Sequence, residues 1–129
     1  MYNLLNKSLI PLCACCCAVA QDTHYSLANE VVELLSQTEI CLNMCRDEQS
    51  VQEVIPHLEE LRERAHQIKE RQQALQDITP KEDKKIAKLI RTYITLDRAI
   101  SEHLRRLSDE GLISEDLSRV LGVPMDISP

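Results

Sequence analysis

Apolar residues recur at alternating steps of three and four positions in three long segments, and this spacing constrains the fold more than any other feature. Residues three or four apart share one side of an α-helix, so each segment predicts a helix with a continuous apolar stripe. The stripes are Leu27, Val31, Leu34, Thr38, Cys41 and Cys45; Val51, Val54, Leu58, Leu61, Ala65, Ile68, Gln72 and Leu75; and Ile86, Leu89, Tyr93, Leu96, Ile100, His103 and Leu107. Flanking apolar residues such as Val32 and Leu35 widen the first stripe, so that it can contact two neighbouring helices. The pattern therefore predicts a bundle.

The start of the second helix is indicated by Ser50 and Glu53, which have the spacing of a capping box. This spacing predicts that the helix begins at Val51. Pro56 follows six positions after Ser50, and a proline inside a helix removes one backbone hydrogen bond. We therefore expect a bend near residues 52–56, or a separate first turn.

The third helix is predicted to begin at Pro80, because Thr79 and Glu82 repeat the capping-box spacing and proline is well tolerated at the first helical position. Gly111 can adopt the left-handed conformation that ends a helix. Ser114 then provides the cap of a short fourth helix.

Together these signals predict an all-α fold, namely an elongated antiparallel up-down-up three-helix bundle with a short C-terminal fourth helix. The short helix is expected to close at Gly122 and Pro124. The predicted helices are residues 23–46, 51–76, 80–110 and 115–121, all within a single domain of residues 21–129.

The first twenty residues have the pattern of an export signal, with Lys7 before an apolar run that closes on Ala18, Val19 and Ala20. We expect cleavage after Ala20, so that the mature chain begins at Gln21 and is periplasmic or secreted. The run is too short to span a membrane. The mature chain therefore has no predicted transmembrane span.

A lipoprotein is the alternative interpretation of the same segment. An apolar residue and a small residue precede Cys15 at the spacing of a lipid-attachment site, which predicts a lipid anchor at Cys15. Cleavage at Ala20 would instead remove Cys13, Cys15, Cys16 and Cys17, and would leave Cys41 and Cys45 as the only cysteines.

The net charge argues against nucleic acid as a partner. It is −6 for the whole chain and becomes −7 without Lys7, whereas nucleic-acid binding depends on cationic side chains that neutralise phosphates. The chain also has no Phe and no Trp, so its core must be built from Leu, Ile, Val and Ala. Such cores suit coiled-coil-like packing.

Cys41, Cys45 and Met44 are the candidate metal ligands, because thiolate and thioether sulfurs suit Cu(I). Cysteines four apart on a helix are too far apart for a relaxed disulfide but can converge on one metal ion. Two other roles remain open for the pair. Both cysteines can fill the apolar seam, or they can form a strained internal or an intermolecular disulfide.

Two histidines are weaker candidates. Glu63 and His66 have the spacing that bundle helices use to bind di-iron centres, but no second copy of the motif exists. His103 falls in the third stripe. No catalytic constellation and no cofactor site is predicted from the sequence, so we expect a protein that is not an enzyme.

Residues 30–75 resemble a group of small, exported, uncharacterised bacterial α-helical proteins. The resemblance rests on an Asp-Glu-x-Ser turn formed by Asp47, Glu48 and Ser50, followed by Pro56 and then by Leu58 and Leu61. It implies the helical architecture and no established activity.

The leading hypothesis is a non-enzymatic exported bundle that acts by protein interaction, by self-association through its seams, or as a scaffold in the cell envelope. The alternative is a Cu(I)-handling or thiol-redox bundle that uses Cys41 and Cys45.

Overall fold

The computed structural model describes residues 22–123, and these residues form an all-α bundle with no strand among them. The predicted export signal, the lipid-attachment site at Cys15 and the closing Pro124 all lie outside the described residues. The helices are α1 (His24–Met44), α2 (Glu48–Gln73), α3 (Pro80–Ala87), α4 (Ile90–Asp109) and α5 (Glu115–Leu121).

The three long helices have the predicted up-down-up arrangement. Arg71, near the end of α2, bonds to Asp22 just before α1, so α1 and α2 are antiparallel. Arg106, near the end of α4, bonds to the Leu42 carbonyl near the end of α1, so α1 and α4 are parallel. Helix α1 packs against α2, α3 and α4, and α5 packs against α2.

Helix α2 begins three residues earlier than predicted. Asp47 is the N-cap, and its side chain accepts a hydrogen bond of 2.8 Å from the Ser50 amide. Ser50 is the third helical residue, and its hydroxyl accepts from the amides of Asp47 and Arg46 at 3.0 and 2.8 Å. The predicted cap at Ser50 is therefore wrong, because Asp47 and Ser50 form the capping box themselves.

Pro56 does not produce a separate first turn. The helix continues without interruption from Glu48 to Gln73, with Pro56 inside it and exposed to solvent. Residues 48–55 form two full turns before Pro56. The proline removes the amide that would bond to the Gln52 carbonyl, and the helix continues past this one missing bond.

The predicted third helix is divided into α3 and α4. The amides of Lys88 and Leu89 bond to carbonyls three residues back, at 3.2 and 2.8 Å, and this tight turn interrupts the α-helical pattern. The N-cap prediction at the start of α3 is confirmed, since the Thr79 hydroxyl accepts from the Glu82 amide at 3.2 Å. The continuous helix over residues 80–110 is wrong.

The predicted glycine and serine caps are confirmed. Gly111 and Gly122 have φ angles of +70° and +68°, and each follows the last turn of a helix. The Leu112 amide reaches back to the Leu107 carbonyl at 2.8 Å, which closes the end of α4. The Ser114 hydroxyl accepts from the Leu117 amide at 3.1 Å and caps α5.

The core lies at one end of the bundle, which we call the closed end: the C-terminal half of α1, the N-terminal half of α2, the end of α4, and α5. Its buried residues are Leu42, Cys45, Val51, Val54, Ile55, Leu58, Leu61, Leu107, Ile113, Leu117 and Val120. The opposite, open end consists of the start of α1, the end of α2, α3 and the start of α4. Only Leu27 and Ile68 are buried there.

Candidate functional site

A largely apolar groove of about 390 Å³ lies at the open end, and we call it the open groove. Its lining is formed by His24, Leu27, Ala28, Val31, Val32, Ile68, Gln72, Ile78, Ile86, Leu89, Ile90 and Tyr93. Apolar pockets of this size with a few polar groups are typical binding sites in proteins. The open groove is therefore the candidate functional site.

The predicted stripes form the floor and one wall of the open groove. Leu27 and Val31 belong to the stripe of α1, while Ile68 and Gln72 belong to the stripe of α2. At the closed end α5 packs against α2 and contributes Leu117 and Val120 to the core, and Leu34 and Cys41 of α1 pack against the same core. The open groove lies along the same two helices, beyond the part that α5 covers.

The other wall is formed by α3 and the start of α4. Ile90, Tyr93 and Ile94 of α4 are 52%, 45% and 47% exposed, although all three are large apolar or aromatic residues. Isolated exposed apolar residues are common on protein surfaces, but a contiguous apolar patch marks an interaction site. Ile90 and Tyr93 both line the open groove, so their exposure belongs to one continuous surface.

Arg71 fixes the start of α1 against the end of α2. One guanidinium nitrogen, Nη2, donates to Asp22 Oδ1 at 2.7 Å and to Glu30 Oε2 at 2.6 Å. Two further bonds, from Nε to Asp22 and from Nη1 to Glu30, make both contacts bidentate. The hydrogen bonds from Arg71 hold the pKa of Asp22 below its usual value. They also raise the pKa of Arg71.

Helix α3 is held against the start of α1 by polar contacts. The Tyr25 amide donates to Glu82 Oε2 at 3.1 Å, and the Lys85 ammonium lies 5.7 Å from the centre of the Tyr25 ring. His24 Nε2 lies 2.6 Å from the Gln76 carbonyl oxygen. These polar contacts hold α3, which has no buried residue, at the rim of the open groove.

The predicted metal ligands are placed in different environments. Cys45 is fully buried in the core at the end of α1, and its thiol donates to the Cys41 carbonyl at 3.4 Å. Met44 is 59% exposed. Burial raises the pKa of both cysteine thiols, which disfavours the thiolate that a metal would require.

Cys41 and Met44 line a second cleft, of about 490 Å³, together with Ile40, Ser50 and His57 among others. Both cysteines are free thiols in the structure. Within residues 22–123, no group of three or more histidine, cysteine, aspartate or glutamate side chains is arranged to hold a metal ion. A metal role for Cys41, Met44 and Cys45 stays a prediction from the sequence.

The two histidine candidates are separated in the structure. Glu63 and His66 are both exposed on the outer face of α2. His103 is partly buried, and its Nε2 lies 2.9 Å from Glu39 Oε2 on α1. This contact joins α4 to α1 and gives His103 a structural partner.

Sequence reasoning identified the stripes but not the open groove. The spacing of the third stripe predicts that Leu89 and Tyr93 lie in a packed seam. Leu89 is instead partly exposed and Tyr93 is exposed, because none of the helices within residues 22–123 covers them at the open end. The available signal was the length of the fourth helix. A helix of seven residues, α5, is about 10 Å long and cannot cover stripes that are three to four times longer.

Comparisons of the chain with models of known protein families, with curated proteins and with solved structures find no match. This result agrees with the sequence resemblance, which implied no family of known activity. Among the helices of residues 22–123, none is both long enough and apolar enough to cross a membrane.

Proposed function

We propose that this protein is a non-enzymatic interaction module whose open groove binds an amphipathic helix of a partner protein. The observation that carries the proposal is the position of the groove. It lies along α1 and α2 at the end opposite α5, which packs against α2 and contributes Leu117 and Val120 to the core of the closed end. A helix of a partner would complete at the open end the packing that α5 completes within the chain.

The dimensions of the open groove fit a short helix. Its lining on α1 runs from His24 to Val32, which is about 12 Å of helix at 1.5 Å per residue. Two to three turns of a partner helix cover this length. Such a helix would use apolar anchors at positions i, i+3 or i+4, and i+7, which is the usual mode of helix-in-groove recognition.

Helix α5 shows how a short helix packs against α2 in this protein. Leu117 and Val120, three residues apart on one face, are 0% and 6% exposed. The Arg62 guanidinium of α2 donates to the Arg119 carbonyl at 3.0 Å, close to the end of α5. Ile113, Leu117 and Val120 are buried, and the Ser114 cap and the Arg62 contact add polar bonds to this seven-residue helix. A partner helix would bind the open groove by apolar anchors of the same kind.

The export pattern of residues 1–20 supports an envelope or secreted location for this activity. In that location the chain acts as an interaction partner or scaffold, processed after Ala20 or anchored at Cys15. Intact-mass analysis of the protein from its native host tests the location, because it distinguishes a chain that begins at Gln21 from a lipidated chain that begins at Cys15.

The binding experiment uses a designed peptide of fourteen residues with leucines at i, i+3, i+7 and i+10 and glutamines elsewhere, titrated by fluorescence anisotropy. Ile90→Asp places a charge in the open groove. It should weaken binding by about tenfold or more, since burying an isoleucine contributes about 1.5–3 kcal/mol and about 1.4 kcal/mol is a factor of ten.

Ile40→Asp is the matched control. Ile40 is 53% exposed, against 52% for Ile90, but it lies outside the open groove. We expect less than a twofold change. Equal weakening by both variants, or equal binding of a scrambled peptide without a helical apolar face, would contradict the proposed site.

A further inference from the structure

One wall of the open groove has a charge opposite to that of the rest of the chain. Residues 80–91, which form α3 and the start of α4, contain five cationic side chains and two acidic ones, so their net charge is +3. The whole chain has a net charge of −6, and the remainder therefore has −9. We call the five cations of this segment the basic wall; they are Lys81, Lys84, Lys85, Lys88 and Arg91.

The basic wall lies directly beside the groove lining. Lys85 precedes Ile86, Arg91 follows Ile90, and both isoleucines line the groove. The Lys85 ammonium lies 5.7 Å from the centre of the Tyr25 ring on α1, which places one cation at the rim. A helix is about 10–12 Å in diameter, so every charge on α3 stays within a distance of the groove comparable to the Debye length of about 8–10 Å. The basic wall therefore acts on whatever the groove binds.

The charge of the basic wall is not compensated within the described structure. Among residues 22–123, none of its five members forms a salt bridge. Glu82, one of the two acids in the segment, already accepts the hydrogen bond from the Tyr25 amide. On the α2 side of the groove, Arg71 is instead bonded to two carboxylates. The uncompensated cations around the groove are thus concentrated on α3 and the start of α4.

We propose that the helix bound in the open groove is acidic, with Asp or Glu side chains beside its apolar stripe that pair with the basic wall. This inference rests on the proposed function, because it specifies the chemistry of the partner at the same site. Complementary charges across an interface determine specificity and association rate more than affinity. The apolar stripe of the partner therefore supplies most of the binding free energy, and its acidic flanks select it among amphipathic helices.

A short helix fits this charge distribution better than an extended anionic surface does. A helix in the groove lies next to the basic wall and far from most of the other charges. An anionic membrane or a nucleic acid would also face the remainder of the chain, whose charge of −9 repels it. The charge pattern therefore favours an acidic peptide over these larger partners.

Peptide charge tests the proposal. Two variants of the designed leucine peptide carry Glu or Lys in place of the four glutamines nearest the leucines, two on each flank. In about 0.1 M salt, where the Debye length is about 10 Å, we expect the acidic peptide to bind about fivefold more tightly than the basic one, with the neutral peptide between them. In about 1 M salt, where the Debye length is about 3 Å, the three affinities should agree within about twofold.

The outcomes separate this inference from the proposed function. Binding of all three peptides with equal affinity, or a preference that salt does not reduce, would overturn the inference and leave the proposed function standing. Failure of all three peptides to bind would overturn both. Binding to phosphatidylglycerol vesicles, combined with equal affinity for the three peptides, would assign the basic wall to a membrane and overturn the acidic helix.

Charge reversal in the protein provides the second measurement. Lys88→Glu/Arg91→Glu should invert the order, so that the basic peptide binds more tightly than the acidic one, and misfolding cannot produce such a gain. The matched control is Arg98→Glu/Arg105→Glu, which changes the net charge by the same amount at exposed positions of α4 outside the groove lining. The control should keep the wild-type order. Inversion in both variants would mean that net charge sets the preference, and would overturn the role of the basic wall.

Discussion

The closed end and the open end are built from the same three long stripes, yet they differ in burial. At the closed end Leu42, Leu107 and Leu117 are fully buried. At the open end Ile90 and Tyr93, about four to five turns before Leu107 on α4, are about half exposed. The difference follows from α5, which packs against α2 at the closed end and has no counterpart at the open end among residues 22–123. One end is therefore stabilised by apolar packing, and the other presents an apolar surface.

The polar contacts also differ between the closed end and the open end. At the closed end, Arg106 donates to the carbonyls of Leu42 and Cys45 at 3.1 and 3.0 Å, and so caps the C-terminus of α1. At the open end, the clamp of Arg71 joins side chains that are each about a third exposed. The Arg106 bonds lie beside a buried core, while the Arg71 clamp lies close to solvent. We therefore expect removal of the Arg106 bonds to lower the free energy of unfolding more than removal of the Arg71 clamp.

The largest effect should come from Leu117→Ala at the closed end. Leu117 is fully buried, and removing a buried leucine costs about 2–5 kcal/mol through lost burial and the cavity left behind. Tyr93→Ala at the open end should change the free energy of unfolding by less than about 1 kcal/mol, because Tyr93 is 45% exposed. Urea unfolding followed by circular dichroism measures both. Equal losses would remove the distinction between the two ends.

Arg106→Ala should have the next largest effect. It leaves two backbone carbonyls at the end of α1 without their donor, and hydrogen bonds from a charged group contribute about 1.5–3 kcal/mol. Arg105→Ala, one residue away on the exposed side of α4, should stay within about 0.5 kcal/mol. Thermal melts of the two variants give the comparison. A loss at position 105 as large as that at position 106 would mean that charge, and not the cap, is responsible.

Ser50→Ala should lower the free energy of unfolding by about 0.5–1.5 kcal/mol, because the Ser50 hydroxyl accepts hydrogen bonds from the amides of Arg46 and Asp47 at the turn into α2. Glu53 is exposed within α2, and Glu53→Ala should stay within about 0.5 kcal/mol. Chemical denaturation measures both. This pair distinguishes the observed helix start at Glu48 from a start at Val51, since in the latter case Glu53 would complete the capping box and its loss would match that of Ser50.

The smallest effect should be the pH dependence of the open-end clamp. The pKa of Asp22 is lowered in the folded protein by Arg71. A carboxyl with a lowered pKa stabilises the fold at pH values above its unfolded pKa, and this contribution disappears as the pH falls through the folded pKa. Because the groups are about a third exposed, the contribution is about 0.2–1 kcal/mol. Asp22→Asn should be less stable than the wild type at pH 7 and equally stable near pH 2, as measured by urea unfolding. A difference that grows on acidification would contradict the clamp.

The fold was predictable where several local signals agree. Thr79 and Ser114 cap helices as expected, because Pro80 follows Thr79 at the first helical position and acidic residues follow Ser114 in the first turn. Gly111 and Gly122 end helices as expected, because both adopt a positive φ. The start of α2 was not predictable in the same way. Asp47 and Ser50 are both good N-cap residues three positions apart, and the structure uses Asp47 as the cap.

The break between α3 and α4 and the open groove depend on tertiary packing, which the local sequence pattern does not contain. No glycine or proline marks the turn at Lys88 and Leu89, so the break between α3 and α4 has no local signal. The open groove was hidden for a related reason. A stripe such as that of Leu89 and Tyr93 has the same sequence whether or not another helix covers it. Only the positions of α5 and α1 reveal which part of the stripe is left uncovered.

The most direct test of the difference between the two ends is an NMR titration of the chain that begins at Gln21 with the designed leucine peptide. The account predicts that amide shifts change at the open end, in residues 24–32 and 86–94, and stay constant at the closed end, in residues 51–58 and 107–120. Changes centred on residues 51–58 and 107–120, or on the second cleft around Ile40 and Met44, would contradict the assignment of the open groove as the binding site.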